Sequence, residues 1–320
     1  MMDEYVERTA RVLDVESRFA VAPDIPRLPR RRERQLEMPA LDMDVLDFLS
    51  LYGCELQFVV GERNSIMGRV MQPLNRLRYE VRFIHAAREC LPEISNDSLA
   101  DRVQSAAESK LDSLPVAIWN ATWGVAEIES LFTLSKGFLP VAGSGAVTAA
   151  LGEDVKRLNG SIEALYTGDL STDLGFVGRV HQQWQANHRA GQILNSAALV
   201  VARLDDVTRL IGQRLDTRPL CFDGKPNRQA EIVNSMFFAV YIGEVQPWLA
   251  DLQRARNDLM VPLEKLASLQ QEVMPESFLD FHREALHQEG GLWQEVDRIT
   301  AQHIEAWQDL LEQCGMRPSA

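Results

Sequence analysis

From Leu41 onward, apolar side chains recur at three- and four-residue steps almost without interruption. Leu46, Leu49, Gly53, Leu56 and Val60 form one such series; Leu194, Ala197, Val201, Leu204 and Ile211 a second; Leu292, Val296, Ile299, Ala306 and Leu310 a third. That period places one apolar stripe on each of a succession of α-helices. Alternating stretches that would make strands are scarce, and the best of them, Phe138–Ala142, is short. The pattern predicts an all-α protein, an elongated multi-helix bundle of about ten helices.

Before Leu41 the chain reads differently. A short helix is expected over Glu4–Arg18, followed by Pro23, Pro26, Pro29 and Pro39. Proline at that density disfavours helix and favours extended backbone, so residues 1–40 read as a helix and a trailing arm. Further breaks are expected at Pro73, Pro92, Pro115, Gly143-Ser144-Gly145, Pro219–Pro226 and Pro275. The weakest-patterned joint, Lys136–Gly145, divides the remainder into expected subdomains over 41–140 and 141–320.

Charge refines this picture. The chain carries 33 basic and 46 acidic side chains, a net −13. Residues 1–40 are balanced, and inside them Arg27, Arg30, Arg31, Arg32 and Arg34 stand together, interrupted by Glu33. An acidic body with one basic run offers no groove for nucleic acid. No apolar run is long enough to span a bilayer.

Four cysteines, Cys54, Cys90, Cys221 and Cys314, lie far apart with no CxxC pair and no histidine at finger-like spacing. Zinc is not expected. The count alone fits two disulfides or four buried thiols.

Several blocks, taken in order, carry a resemblance: LPRRRERQLEMPALDMDVLDFLSLYGC at 28–54, GERNSIMGRVMQPLNRLRYEVRFIHAAREC at 61–90, WNATWG at 119–124, RPLC at 218–221, YIGEVQPW at 241–248 and AWQDLLEQCG at 306–315. In these the chain resembles the bacterial family catalogued as domain of unknown function 3080. The resemblance implies an all-helical lipoprotein, exported to the periplasm and held at the outer membrane by a lipid anchor preceding the first helix; the residues before Tyr5 include no cysteine. It implies no reaction. In an oxidising compartment the cysteines read as disulfides. Cys54 and Cys90 flank a helical hairpin centred on residue 72, so they would face each other, leaving Cys221 to pair with Cys314. Closing the 36-residue interval would contribute about 4 kcal/mol on the loop-entropy account.

Four constellations invite a chemical reading. Glu62-Arg63-Asn64-Ser65 could supply an acid or base and an anion clamp, or merely end one helix and cap the next. Tyr241, Glu244 and Trp248 lie around Gly243 and Pro247, where a helix should kink; they could line a concavity or pack the bend. Taken together, these two clusters are the candidate binding site. The indoles of Trp119 and Trp123 with Asn120 could hold a sugar, or plug the core. Glu284 and His287 have di-iron spacing without the second copy such sites need, and His181 and His188 read as solvated. No cofactor or metal is expected. The sequence therefore predicts a non-enzymatic periplasmic protein, lipid-tethered, that binds or scaffolds an envelope protein or polymer. The alternative is an enzyme acting on an envelope polymer or lipid through Glu62 and Arg63. The arginine arm would either face anionic lipid or dock on the protein's own acidic body.

Overall fold

The computed structural model describes residues 1–39, 53–64, 71–141, 143 and 145–317, with Arg63 and Asn64 described as backbone only. Among the described residues there is no strand; a lone bridge joins Phe222 and Lys225. The helices in chain order are α1 (Met2–Leu13), α2 (Arg31–Arg34), α3 (Glu55–Asn64), α4 (Pro73–Cys90), α5 (Asp97–Thr122), α6 (Glu127–Leu131) and α7 (Gly145–Tyr166). Then follow α8 (Val177–Ala186), α9 (Arg189–Thr217), α10 (Arg228–Met236), α11 (Gln246–Ala255), α12 (Val261–Ser268), α13 (Glu276–Phe281) and α14 (Gly291–Glu312). The all-α expectation holds.

The first helix stops earlier than its sequence suggests. Asp14 adopts a left-handed conformation (φ 55°) and turns the chain out. The carbonyls this leaves open are met from outside: Arg214 donates to Leu13 O at 3.2 Å, and Gln229 to Val12 O at 3.2 Å. Instead of standing apart with the arm, α1 buries Met2, Tyr5, Val6, Thr9, Ala10 and Leu13 against α9 and α10.

Its deepest contact is polar. The Tyr5 hydroxyl shares a hydrogen bond with His303 Nε2 at 2.9 Å and accepts from Trp307 Nε1 at 2.7 Å. Tyr241 stacks on Tyr5 with ring centroids 5.8 Å apart. Burial holds the His303 ring neutral, its pKa pulled down to about 3.

Three π-helical stretches, Phe237–Val245, Arg256–Met260 and His282–Leu286, interrupt the later helices. Two of them precede a proline: Pro247 and Pro262 each fall in the first turn of the α-segment that follows. There a missing N–H costs least, and a wider turn upstream keeps the ring clear of the preceding carbonyls. The bend expected at Pro247 is thus absorbed as a π turn. Pro115 lies inside α5 and does not end it.

One hydrophobic core includes residues from Met2 to Cys314 and runs through Leu139. A smaller second core lies at the far end of the α4–α5 hairpin, where α3 covers Tyr79, Phe83, Ala86 and Ala87 of α4 and Leu99 and Val103 of α5. Between the two cores, buried Glu80 accepts from Arg76 and Lys110, and Lys110 Nζ rests over the Tyr79 and Phe83 rings at 4.6 and 4.7 Å. A charge buried this deeply is tolerable because it is paired.

Both expected disulfides are present, Cys54–Cys90 with Cα atoms 5.8 Å apart and Cys221–Cys314 at 5.2 Å. The first staples α3 to the end of α4. The second joins the loop after α9 to the turn after α14.

The tightest crossing tests this packing. A Cβ on Gly152 of α7 would stand 1.8 Å from the Asp258 carbonyl oxygen in the second π stretch, whereas one on Gly160 of the same helix would meet nothing within 4 Å. Gly152→Ala should destabilise by about 2 kcal/mol or more through overpacking. Gly160→Ala should be neutral or stabilise by about 0.5–1 kcal/mol, since alanine loses less backbone entropy in a helix. Equilibrium denaturation of the two variants decides it; equal effects would mean that α7 does not cross the π stretch at this point.

Candidate functional site

The arginine-rich arm folds onto the WNATWG segment, and each of the six residues there has a part. The Trp119 indole donates to Arg34 O at 2.7 Å. Asn120 grips Leu36 at both backbone atoms, accepting from its N–H and donating to its carbonyl, each at 2.8 Å. The Ala121 carbonyl lies 2.9 Å from His181 Nε2, so His181 is a buried partner of this segment and not a solvated histidine. Thr122 Oγ1 donates to Gln270 Oε1 at 3.1 Å. The Trp123 carbonyl accepts from Arg34 and the Gly124 carbonyl from Arg31 Nε. A Cβ on Gly124 would meet the Asn120 backbone at 2.8 Å, which explains a glycine at the close of the turn.

Arg34 is fully buried beneath the arm. Beyond Trp123 O, its guanidinium donates to Pro29 O at 2.6 Å and to Glu129 Oε1 at 2.7 Å. Burial pulls its pKa down while Glu129 opposes that, and a guanidinium stays charged regardless. The same Glu129 oxygen accepts the Arg31 N–H at 2.9 Å. Beneath them lies a floor of Trp119, Trp123, Phe132, Phe278 and Phe281 in edge-to-face and tilted contacts, with centroids 4.9–6.3 Å apart. The tryptophans are core plugs, as the plainer sequence reading had it.

This docking fixes the other arginines around an open cavity of about 700 Å³. Arg27, Arg30, Arg31 and Arg32 line it with Leu28, Phe132, Thr133, Leu134 and Ser135, and Glu129 is its one carboxylate. Arg27, Arg30 and Arg32 are exposed. The Arg27 and Arg30 guanidiniums have no carboxylate within 4 Å among the described residues, and that of Arg32 has only Glu33, at 3.8 Å; Glu33 also accepts the Arg30 backbone N–H at 3.0 Å.

A family model described as "Protein of unknown function (DUF3080)" matches residues 2–318. The chain belongs to this family. No curated protein and no solved structure shows significant similarity to it. Membership therefore identifies the chain without supplying an activity, and chemistry must be read from this DUF3080 protein's own geometry.

The candidate residues named from sequence do not come together. Glu62 is exposed on α3, over the second core, and accepts from Arg82 at 2.9 Å. The side chains of Arg63 and Asn64, and all of Ser65, lie outside the described residues. Glu80, the buried carboxylate of the neighbouring helix α4, is occupied by Arg76 and Lys110. Tyr241 and Trp248 are buried in the main core, the first against Tyr5 and His303, the second donating to Leu139 O at 3.4 Å. Glu244, between them, is exposed. Tyr241 with Trp248 therefore serves packing, and Glu62 lies on the solvent side of the helix that covers the second core.

His181 and His188 do not share a helix: His188 precedes α9 and faces Ser130 O at 2.9 Å. Glu284 pairs with Arg283, and His287 with Glu264 of α12 at 2.8 Å. Among the described residues, no group of three or more histidine, cysteine or acidic side chains is placed to hold a metal ion. What the sequence reading missed was the partner of the arm, namely Asn120, Glu129 and the 132–135 turn. The available signal was that the arginine block and WNATWG are both part of the family resemblance.

Removing Arg34 tests the docking. Arg34→Met removes the guanidinium donor from the Pro29 and Trp123 carbonyls and leaves Glu129 with the Arg31 N–H alone, so it should cost about 3 kcal/mol. It should also open residues 14–39 to thermolysin. Arg32→Gln, a change at an exposed position, should do neither. If the two variants match in stability and cleavage, the arm is not held by Arg34.

Proposed function

We propose that this protein is an extracytoplasmic binding protein of the bacterial envelope, tethered by lipid in its mature form, whose ligand is an anionic envelope component held in the arginine-lined cavity. The observation that carries the reading is the cavity itself: the Arg27 and Arg30 guanidiniums, with no carboxylate within 4 Å among the described residues, set around an apolar floor by a docked arm. A guanidinium left unpaired beside a concavity offers several donors in a planar fork suited to phosphate or carboxylate. On a body whose net charge is strongly negative, such a cluster is where an anion would be drawn.

Two further features support this reading. Two disulfides suit an oxidising compartment outside the cytoplasm. No described helix is long and apolar enough to cross a membrane. Catalysis is less well supported, because Glu129, the cavity's carboxylate, is already held by Arg34 and the Arg31 amide and is poorly placed to move protons.

Pyrophosphate is a suitable probe, being small, multivalent and rich in acceptor oxygens. At about a hundred times its Kd a ligand of the folded state stabilises by about 2.7 kcal/mol. Pyrophosphate should therefore raise the melting temperature above that in sodium chloride of equal ionic strength. The gain should vanish in Arg27→Gln/Arg30→Gln, which alters exposed side chains only. An identical response to both salts, or a gain that survives in the double variant, would contradict an anion site here.

A further inference from the structure

We infer that the anion belongs to a membrane lipid, and that the arginine cavity together with the apolar loop beside it forms a docking face for an anionic bilayer. This rests on the anion-binding reading above and goes beyond it, since a soluble anion needs only the arginines.

The added observation is the segment immediately after the cavity. Ser135 lines the cavity, and Phe138 follows three residues later, within about 10 Å of chain reach. Phe138 is 51% exposed, Val141 60% and Val147 40%. Lys136, between cavity and loop, is exposed as well.

An apolar loop could simply be slack, but this one is pinned. Asn195 of α9 donates to the carbonyls of Leu134 and Gly137, both at 2.8 Å, and Gln192 to that of Lys136 at 3.1 Å. Gly137 takes a positive φ of 72° to make the turn. Next, Leu139 is buried: its N–H donates to Ser196 Oγ at 2.8 Å and its carbonyl accepts from Trp248. Phe138 and Val141 are thus held out on either side of an anchored Leu139, although the core is close enough to take Leu139 in. Bonds of this kind fix apolar side chains in water at a hydration cost that burial elsewhere would recover.

Basic and apolar residues side by side fit the boundary of an anionic membrane, where phosphates meet acyl chains. Charge complementarity argues for the same occupant. With net charge −13 overall, the protein as a whole is repelled by such a surface, and attraction is confined to the arm, where five arginines face one glutamate between residues 27 and 34. The nearby carboxylates leave that attraction intact: Glu129 is taken by Arg34, and Glu33 caps the Arg30 backbone N–H at 3.0 Å while standing 3.8 Å from the Arg32 guanidinium.

The test is flotation of the soluble chain with phosphatidylcholine vesicles, with and without phosphatidylglycerol, at low and high salt. Binding should require phosphatidylglycerol and fall with salt. Each arginine near an anionic surface adds roughly fivefold to affinity, so Arg27→Gln/Arg30→Gln/Arg32→Gln should bind about a hundredfold more weakly. Phe138→Ser/Val141→Ser should lose about tenfold or more while keeping its melting temperature, and Phe138→Leu should retain binding. Absence of vesicle binding at low salt, equal binding to both vesicle types, or full binding by the loop double variant would overturn the bilayer proposal. The first of these, with pyrophosphate still stabilising the protein, would leave a soluble-anion site, whereas the last would leave arginines that meet lipid without the loop. Loss of the pyrophosphate effect itself would remove the underlying anion reading as well.

Discussion

The structure at its proposed working face depends on one buried charge. Arg34 lies beneath the arm with no exposed surface, and its guanidinium satisfies Pro29, Trp123 and Glu129 together. Desolvating a guanidinium is expensive and is tolerated only when every donor finds an acceptor. The requirement works in both directions. The WNATWG turn must present its carbonyls outward to receive Arg34, and the arm must take up a single helical turn at Arg31–Arg34 for Arg34 to reach them. Glu129, by accepting from both Arg34 and the Arg31 amide, fixes the azimuth of that turn. The other arginines then have nowhere to go but outward, around the cavity.

A second constraint acts through the backbone. The stretch from α10 to α12 contains two prolines, and each is admitted by a π turn just before it. A π turn widens the helix and directs carbonyls sideways. At Asp258 that carbonyl is met by Gly152, and at Pro262 the carbonyl accepts from Asn159 at 2.9 Å. Helix α7 is thereby seated against the wide part of the rod, and α7 carries the far end of the exposed apolar loop. A second close approach, Gly191 against the Thr133 backbone, would place a Cβ 2.1 Å from that carbonyl oxygen. It seats α9 directly on the turn that lines the cavity.

Much of the architecture was legible in the sequence because it follows from local rules. Three- and four-residue apolar steps gave helices, and symmetry about residue 72 paired Cys54 with Cys90 once the family resemblance made disulfides the expected state. What could not be read depends on which distant segments meet. Tyr241 and Glu62 look alike in sequence, each polar beside apolar neighbours, yet one is a core ring stacked on Tyr5 and the other an exposed carboxylate. His181 looked solvated because its flanking residues are polar, and only the fold reveals its acceptor at Ala121. Pro115 looked like a helix end, but α5 runs through it because burial on both sides outweighs one missing hydrogen bond. The arm was the nearest to a correct reading. Docking and membrane attraction were posed as alternatives, whereas the structure docks Arg34 and Arg31 and leaves Arg27, Arg30 and Arg32 exposed.

The central claim is that the arm is a fixed part of the fold and not a mobile tail, and amide hydrogen exchange reads this most directly. The Leu36 N–H is held by Asn120 and the Arg31 N–H by Glu129. Both amides should exchange only through an opening reaction, with protection approaching that of interior amides in α5, and Asn120→Ala should release Leu36. Exchange of Leu36 and Arg31 at the rate of an unstructured peptide in the unaltered protein would contradict the account.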